Sequence, residues 1–393
     1  MPHPNHTQSR RNWMKQASLA GAGLLAFPSL NAAPAASPHR PGFREYLPSL
    51  EWERSLPAPE LKARLLANEN PWGPSPQARL AIMESAVEGN RYQHQAASAL
   101  RKEIAAFEGV SEDHIVVAPG SSDILEKMAI MHYLEEGNLV TADPAYMSLI
   151  KTARQMGAQW NKVKLAADWS HDLEGMASAI DKHTRLVYIC NPNNPTGTLT
   201  DPDKLRDFCR TVSKDVPVFV DEAYLEFLPN RAKQTMVKTI QEGHNVIVAR
   251  TFSKIHGMAG LRVGYGVMQP EMRQQVDGIW RNNMSLCKTS LMGAMASLRD
   301  TGFQEMSREK TAAAREQTYV GLEKLGLEYV PSHTSFILFP LAVEGQAFLD
   351  DMFAHGVGVR VFDVHGKTHC RVSMGTPEEI DLFLESLGSV LAK

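Results

Sequence analysis

Cysteine is scarce in this chain: Cys190, Cys209, Cys287 and Cys370 are the only four among 393 residues, widely separated and with no C-x-x-C pair. That spacing excludes a dense disulfide framework and a structural zinc ligand set, and all four are expected to be buried thiols. An excess of one charge is lacking too, since 41 basic residues stand against 44 acidic ones, for a formal net charge of −3. Such a balance gives no general attraction to nucleic acid or anionic lipid, so any phosphate site must be local. The apolar stretch from Ala17 to Leu30 is too short and too rich in Gly and Ala for a membrane span of ~20 residues. What is present is bulk. A chain of 393 residues that is 43% hydrophobic can build a large globular unit with a smaller companion, because single cores stop growing near ~250–300 residues.

The first forty residues differ in texture from the rest. Ser9-Arg10-Arg11-Asn12-Trp13-Met14-Lys15 precedes the apolar stretch, and small residues and prolines follow to about Pro41. In form this is an export signal, and it resembles a twin-arginine leader, which directs folded proteins across a bacterial inner membrane. A periplasmic location is therefore expected, with cleavage after Ala32 or Ala35. The competing reading is a tail with a chance Arg-Arg on a cytoplasmic protein.

The expected division is residues 1–41 as signal and linker, 42–80 as an N-terminal arm, 81–300 as a large domain and 301–393 as a small one. Prolines at Ser55 to Pro59 and in Asn70-Pro71-Trp72-Gly73-Pro74 forbid long helices in the arm. Beyond it, helical spacing (Ala78, Ile82, Ala86; Leu100, Ile104, Phe107) alternates with short apolar runs: Ile115–Val117, Leu139-Val140, Leu186–Ile189, Val218–Val220 and Val246–Val248. Short apolar strands separated by helices predict an α/β fold with a mostly parallel sheet covered on both faces. From Thr301 a charged helix runs to about Leu325, followed by strands at Phe336–Phe339, Val357–Val361 and Cys370–Ser373.

Ligands of such sheets bind beyond the carboxyl ends of the strands, so the polar residues after each run are the candidates. Gly120-Ser121-Ser122-Asp123 opens a helix whose N–H groups and dipole suit a phosphate, although an ordinary capped helix start accounts for it equally. Asp221 ends a strand, where it is either a helix cap or the partner of a ring nitrogen. Lys254 follows the last strand and is either a solvated charge or a nucleophile. Thr251, Ser253 and Arg262 add hydroxyl and guanidinium donors for a phosphate. A lysine, a buried carboxylate, an anion cradle and a flat group together are what pyridoxal 5′-phosphate (PLP) requires of a protein.

Leu66–Pro76, Asn191–Gly197, Val220–Tyr224 and Ser253–Tyr265 together resemble the histidinol-phosphate aminotransferase branch of the fold-type I PLP enzymes. The resemblance runs from about Arg64 to the C-terminus. It implies a large domain with a seven-stranded-type sheet, a small C-terminal α/β domain and a homodimer with shared active sites. It also implies that Lys254 condenses with the cofactor aldehyde, Asp221 pairs with the pyridine nitrogen, and Asn194 and Tyr224 bond the ring's 3′-oxygen. Tyr146 would stack on the ring, Tyr92 would reach the phosphate of the neighbouring subunit, and Arg371 would clamp the substrate α-carboxylate. Asn70 and Arg360 are further substrate candidates, Arg360 being alternatively a structural ion pair.

The chain departs from this pattern at Thr334-Ser335-Phe336, where the family often carries Asn, at Gln93-His94-Gln95, which lacks a proline, and along Arg360–Gly366. His365 and His369 are four apart, but on a loop or strand, so no metal site is expected. The implied reaction is ping-pong transamination between an amino acid, or an amino-acid-like phosphate such as histidinol phosphate, and a 2-oxo acid. PLP-dependent decarboxylation of a phosphorylated amino acid and an exported PLP-binding protein without turnover are the alternatives.

Overall fold

The structure, a computed structural model, describes residues 45–46, 61–280 and 284–392. The stretch read as an export signal lies outside them. Within the unit Phe43–Lys393 the strands are β1 (Glu45–Tyr46), β2 (Ala63–Arg64), β3 (Ile115–Ala118), β4 (Asn138–Asp143), β5 (Gln159–Lys164), β6 (Thr184–Cys190) and β7 (Val218–Asp221). They continue with β8 (Val246–Thr251), β9 (Gly264–Val267), β10 (Phe336–Pro340), β11 (Val357–Gly358), β12 (Arg360–Val364) and β13 (Lys367–Ser373).

Seven strands form the main sheet in the order β3-β9-β8-β7-β6-β4-β5, parallel except where β9 runs against β3 and β8. Its strands are apolar on both faces because both faces are covered. Val187, Ile189, Val218, Val220, Val246 and Val248 belong to one apolar cluster, whereas Leu186, Tyr188, Phe219 and Ile247, which alternate with them, belong to another. This is the doubly covered α/β sheet expected from the apolar runs.

Two strands escape the sequence pattern. The edge strand β5, Gln-Trp-Asn-Lys-Val-Lys, buries only Val163, and β9, Gly-Tyr-Gly-Val, has two glycines among its four residues.

A second sheet, β1-β12-β13-β10, is antiparallel throughout and packs over a separate apolar core that includes Phe339, Val361, Val372 and Phe383. The expected strand Val357–Val361 is interrupted at Val359: β11 pairs in parallel with β2, while β12 joins the four-stranded sheet. The charged helix Thr301–Lys324 is present, and among the described residues no helix is long and apolar enough to cross a membrane. Cys190, Cys209 and Cys370 are buried, but Cys287 is exposed, which corrects the expectation of four buried thiols. It precedes the helix Lys288–Arg299 instead of lying in a strand or an apolar helix face.

Candidate active site

Parallel strands point their carboxyl ends the same way, and the polar residues that follow them converge. Ser121 and Ser122 after β3, Tyr146 after β4, Asn194 after β6, Asp221 at the end of β7 and Thr251 at the end of β8 line one cavity of 390 Å³ with Ser253, Lys254 and Arg262. Arg371 from β13 and Arg360 from β12 close it on the other side, facing each other across the pair β12/β13.

At one end lies an anion cradle. Gly120, at φ +88°, precedes the twelve-residue helix Ser121–His132, whose first-turn N–H groups have no carbonyl partner within the helix and whose first two residues line the cavity. A Cβ on Gly120 would collide with the Arg262 guanidinium, and one on Gly264 would stand 2.5 Å from the Ser121 nitrogen. Only glycines allow the guanidinium and the strand β9 to come this close. The Arg262 guanidinium donates to Ser253 Oγ at 3.3 Å and to the Ala259 carbonyl at 2.9 Å.

At the other end, Arg371 is only 4% exposed. Its guanidinium donates to Asn194 Oδ1 at 2.6 Å and to the Leu66 carbonyl at 3.1 Å, between the rings of Phe336 and Phe362. The fork is therefore pre-aimed, and the Asn194 amide nitrogen is left as that side chain's donor end.

Between the two ends sit the titratable groups. Lys254 Nζ donates to the Ala67 carbonyl at 3.1 Å. Burial, then the Arg371 and Arg262 charges, pull its ammonium down to about 7, against the opposing pull of Glu69 and Asp221. A lysine in that state is half free amine near neutrality, as a nucleophile and proton carrier requires. Asp221 is 2% exposed, and burial pushes its carboxyl up to about 7 although the Ala223 N–H and Lys254 hold it down. It is a carboxylate in want of a cation. Burial also raises the Tyr224 hydroxyl above its usual range, so it remains a neutral phenol; it accepts from Asn68 Nδ2 at 2.8 Å.

Three residues named from the sequence are outside the lining of this cavity, Tyr92 among them as its expected role in the neighbouring subunit requires. The Asp123 side chain does not line the cavity: its carboxylate pairs with Lys127 one turn along the helix at 2.6 Å, which leaves its backbone N–H as the group that could serve a phosphate. Asn70 lines a neighbouring cavity; its amide donates to the Ile255 carbonyl at 2.8 Å and to Ser307 at 3.1 Å, tying the arm to the lysine loop. Tyr92 is 81% exposed and outside the lining of this chain's cavity.

Conversely, Ala67, Asn68, Glu69, Ala223, Ala259 and Gly260 line the cavity without having been singled out. All lie inside the sequence segments that carried the resemblance, but small or amide side chains give no chemical signal of their own, and Glu69 pairs with Arg64 at 2.9 Å like an ordinary surface carboxylate.

The donor set fits PLP. The glycine-made cradle suits a phosphate, the buried, raised Asp221 suits a protonated ring nitrogen, and the half-neutral Lys254 between them suits an aldehyde.

Comparison with known proteins agrees. Residues 62–387 match the aminotransferase class I and II family. A histidinol-phosphate aminotransferase of Moorella thermoacetica is 35% identical over 84% of this chain and 85% of its own length. Its counterpart in Akkermansia muciniphila is 37% identical over 84% and 90%. The solved histidinol-phosphate aminotransferase of Sinorhizobium meliloti, in complex with pyridoxal-5′-phosphate, superposes with a TM-score of 0.79 at 28% identity, covering 85% of this chain and 92% of that one. With cavity, cofactor fit and comparisons in agreement, the chain belongs to the aminotransferase class I and II family and is a PLP-dependent transaminase of the fold-type I architecture.

Proposed function

We propose that this transaminase uses Lys254 as its catalytic lysine and accepts an amino acid, or an amino-acid-like phosphate such as histidinol phosphate, as amino donor. The observation that carries the reading is the placement of Lys254, Asp221 and Arg371 around one cavity, with the anion cradle at its far end. When bound, PLP supplies an electron-withdrawing ring that takes up the amino group.

Each protein residue then has a physical task. Ser121 and Ser122, with Thr251, Ser253 and Arg262, hold the phosphate. Asp221 would keep the ring nitrogen protonated, Asn194 and Tyr224 would offer polar groups to the ring's oxygen, and Tyr146 would supply a flat face for the ring. Arg371 grips the α-carboxylate through its fork and orients the Cα–H bond toward Lys254. Lys254 Nζ, as a free amine, removes that proton and later releases it. Arg360 beside Arg371 is placed for a second anionic group of the substrate.

Leu80, Met83 and Val87 are exposed at 53%, 68% and 83%, and Tyr92 follows at 81%. An exposed apolar stripe next to an unplaced aromatic supports a homodimer in which Tyr92 completes the neighbour's phosphate site. Export by the N-terminal leader is also proposed, on the Arg10-Arg11 pattern, and a fusion of residues 1–41 to a reporter active only outside the cytoplasm tests it.

A half-reaction screen of the leaderless holoenzyme against the amino acids and histidinol phosphate tests the function. Loss of the cofactor's visible absorbance with stoichiometric oxo product is expected for at least one donor. Release of carbon dioxide in place of that product would refute transamination.

A further inference from the structure

Behind the cavity, and outside its lining, lies a second group of charges. Arg250 is fully buried, and the side chains of Glu222, Glu108 and Glu226 are 1%, 2% and 6% exposed. The Arg250 guanidinium donates to Glu222 Oε2 at 2.8 Å, to Glu226 Oε1 at 2.8 Å and to Thr235 Oγ1 at 3.0 Å. Glu222 also accepts from the Met236 N–H at 2.6 Å. Glu108 accepts from the Tyr265 hydroxyl at 2.6 Å and from Arg231 at 3.0 Å. One connected set therefore ties β7, β8, β9, the end of the helix His94–Glu108 and the turn at Thr235–Met236.

Its place in the chain matters more than its size. Glu222 follows Asp221 and Arg250 precedes Thr251, and consecutive side chains of an extended segment point to opposite sides. Asp221 and Thr251 line the cavity while their neighbours do not. The strand ends are also joined through the backbone, since the Glu222 N–H donates to the Ala249 carbonyl at 3.0 Å. A buried ionic set is poor evidence for stability, because well-packed apolar groups do as well, but it fixes geometry in a way that apolar packing does not. A guanidinium that reaches three acceptors in three segments leaves its strand one position.

We propose that Arg250 and Glu222 are positioning residues, which hold the Asp221–Glu222 and Arg250–Thr251 peptides so that Asp221 and Thr251 meet the cofactor in one fixed orientation. This rests on the reading of Asp221 as the ring's carboxylate partner. The set acts through strand ends and touches no reactant.

The test compares Arg250→Lys, Glu222→Gln and Asp221→Ala holoenzymes with the native one, by kcat, KM, thermal midpoint and the visible circular dichroism of the bound cofactor. Lysine at the first position keeps the charge but not the three-way fork. The Glu222→Gln variant keeps the side chain's shape, and it serves if the lysine variant fails to fold. Both positioning variants are expected to lose about tenfold or more in kcat, since ~1 Å of misplacement is enough for that. KM should stay within about twofold, because Arg371 sits on the other sheet, and the dichroism should change.

A lowered thermal midpoint with native kcat and native dichroism would overturn the proposal and leave the set a structural one. Native kcat in Asp221→Ala would instead overturn the reading beneath it, and that outcome is distinguishable because it involves neither positioning residue.

Discussion

Adding one methyl group at Gly264 should separate the phosphate cradle from the rest of the site. A Cβ there would lie 2.5 Å from the Ser121 nitrogen, 2.6 Å from the Gly120 carbonyl carbon and 2.8 Å from the Arg250 carbonyl oxygen. All three are backbone atoms on two different elements, so no side-chain rotation relieves the contact. Reaching an ordinary separation of ~3.5 Å requires β9 and the start of the helix Ser121–His132 to part by about 1 Å. Overpacking of this kind costs about 1–3 kcal/mol. Because the displaced atom is one of the N–H groups proposed to hold the phosphate, the cost should appear in cofactor affinity as well as in stability. Gly264→Ala is therefore expected to raise the PLP dissociation constant by about 10- to 100-fold, as 1.4 kcal/mol is a factor of ten. Titration of the apo protein with PLP, followed by fluorescence, measures it. An unchanged dissociation constant and an unchanged thermal midpoint would refute the account of the cradle.

Three further outcomes are expected. Arg371→Lys should lose about 1.5–3 kcal/mol of substrate carboxylate binding, read as a fall in kcat/KM, while PLP affinity stays native; a native kcat/KM would remove Arg371 from the substrate site. The rate at which PLP condenses with the apo protein should rise by about tenfold per pH unit below 7 and then level off. The attacking species is the free amine, and Lys254 loses its proton at about 7; a rate still rising toward pH 10 would mean an ordinary exposed lysine. Asn70→Ala should lose about 1 kcal/mol of stability for each of its two bonds to Ile255 and Ser307, with a lower kcat because the lysine loop is loosened. Thermal unfolding and steady-state kinetics check both parts, and a native midpoint would count against the tie.

Much of this was legible in the sequence because the sheet is covered on both faces and its central strands therefore read as apolar runs. Val218–Val220 and Val246–Val248 made Asp221 and Lys254 candidates for that reason, and the resemblance of the segments around them supplied their roles. Edge strand β5 faces solvent for most of its length and so carries the composition of a loop. β9 must approach the helix N-terminus so closely that its glycines erase the strand signal. At the site, residues with distinctive chemistry were found. The turn of the Asp123 side chain toward Lys127 was not legible, because a helix's first turn contains both N–H groups that can face a ligand and side chains that turn along the helix, and spacing does not tell them apart. Asn70 lines a neighbouring cavity because its amide serves the Ile255 carbonyl and the Ser307 hydroxyl, a use with no sequence signature. The Arg250 set went unnoticed because its members are far apart in the chain and meet only when β7, β8 and β9 are side by side.

The most direct test of the central claim is turnover of a Lys254→Ala holoenzyme, leaderless and loaded with PLP, with any amino donor found active in the half-reaction screen. The variant should still bind PLP through the cradle and Asp221, lack the absorbance of the lysine-bound cofactor, and lose turnover by on the order of 10⁴-fold, the scale of a general acid–base group. Turnover close to that of the native enzyme would contradict the assignment of Lys254 and, with it, the mechanism built around it.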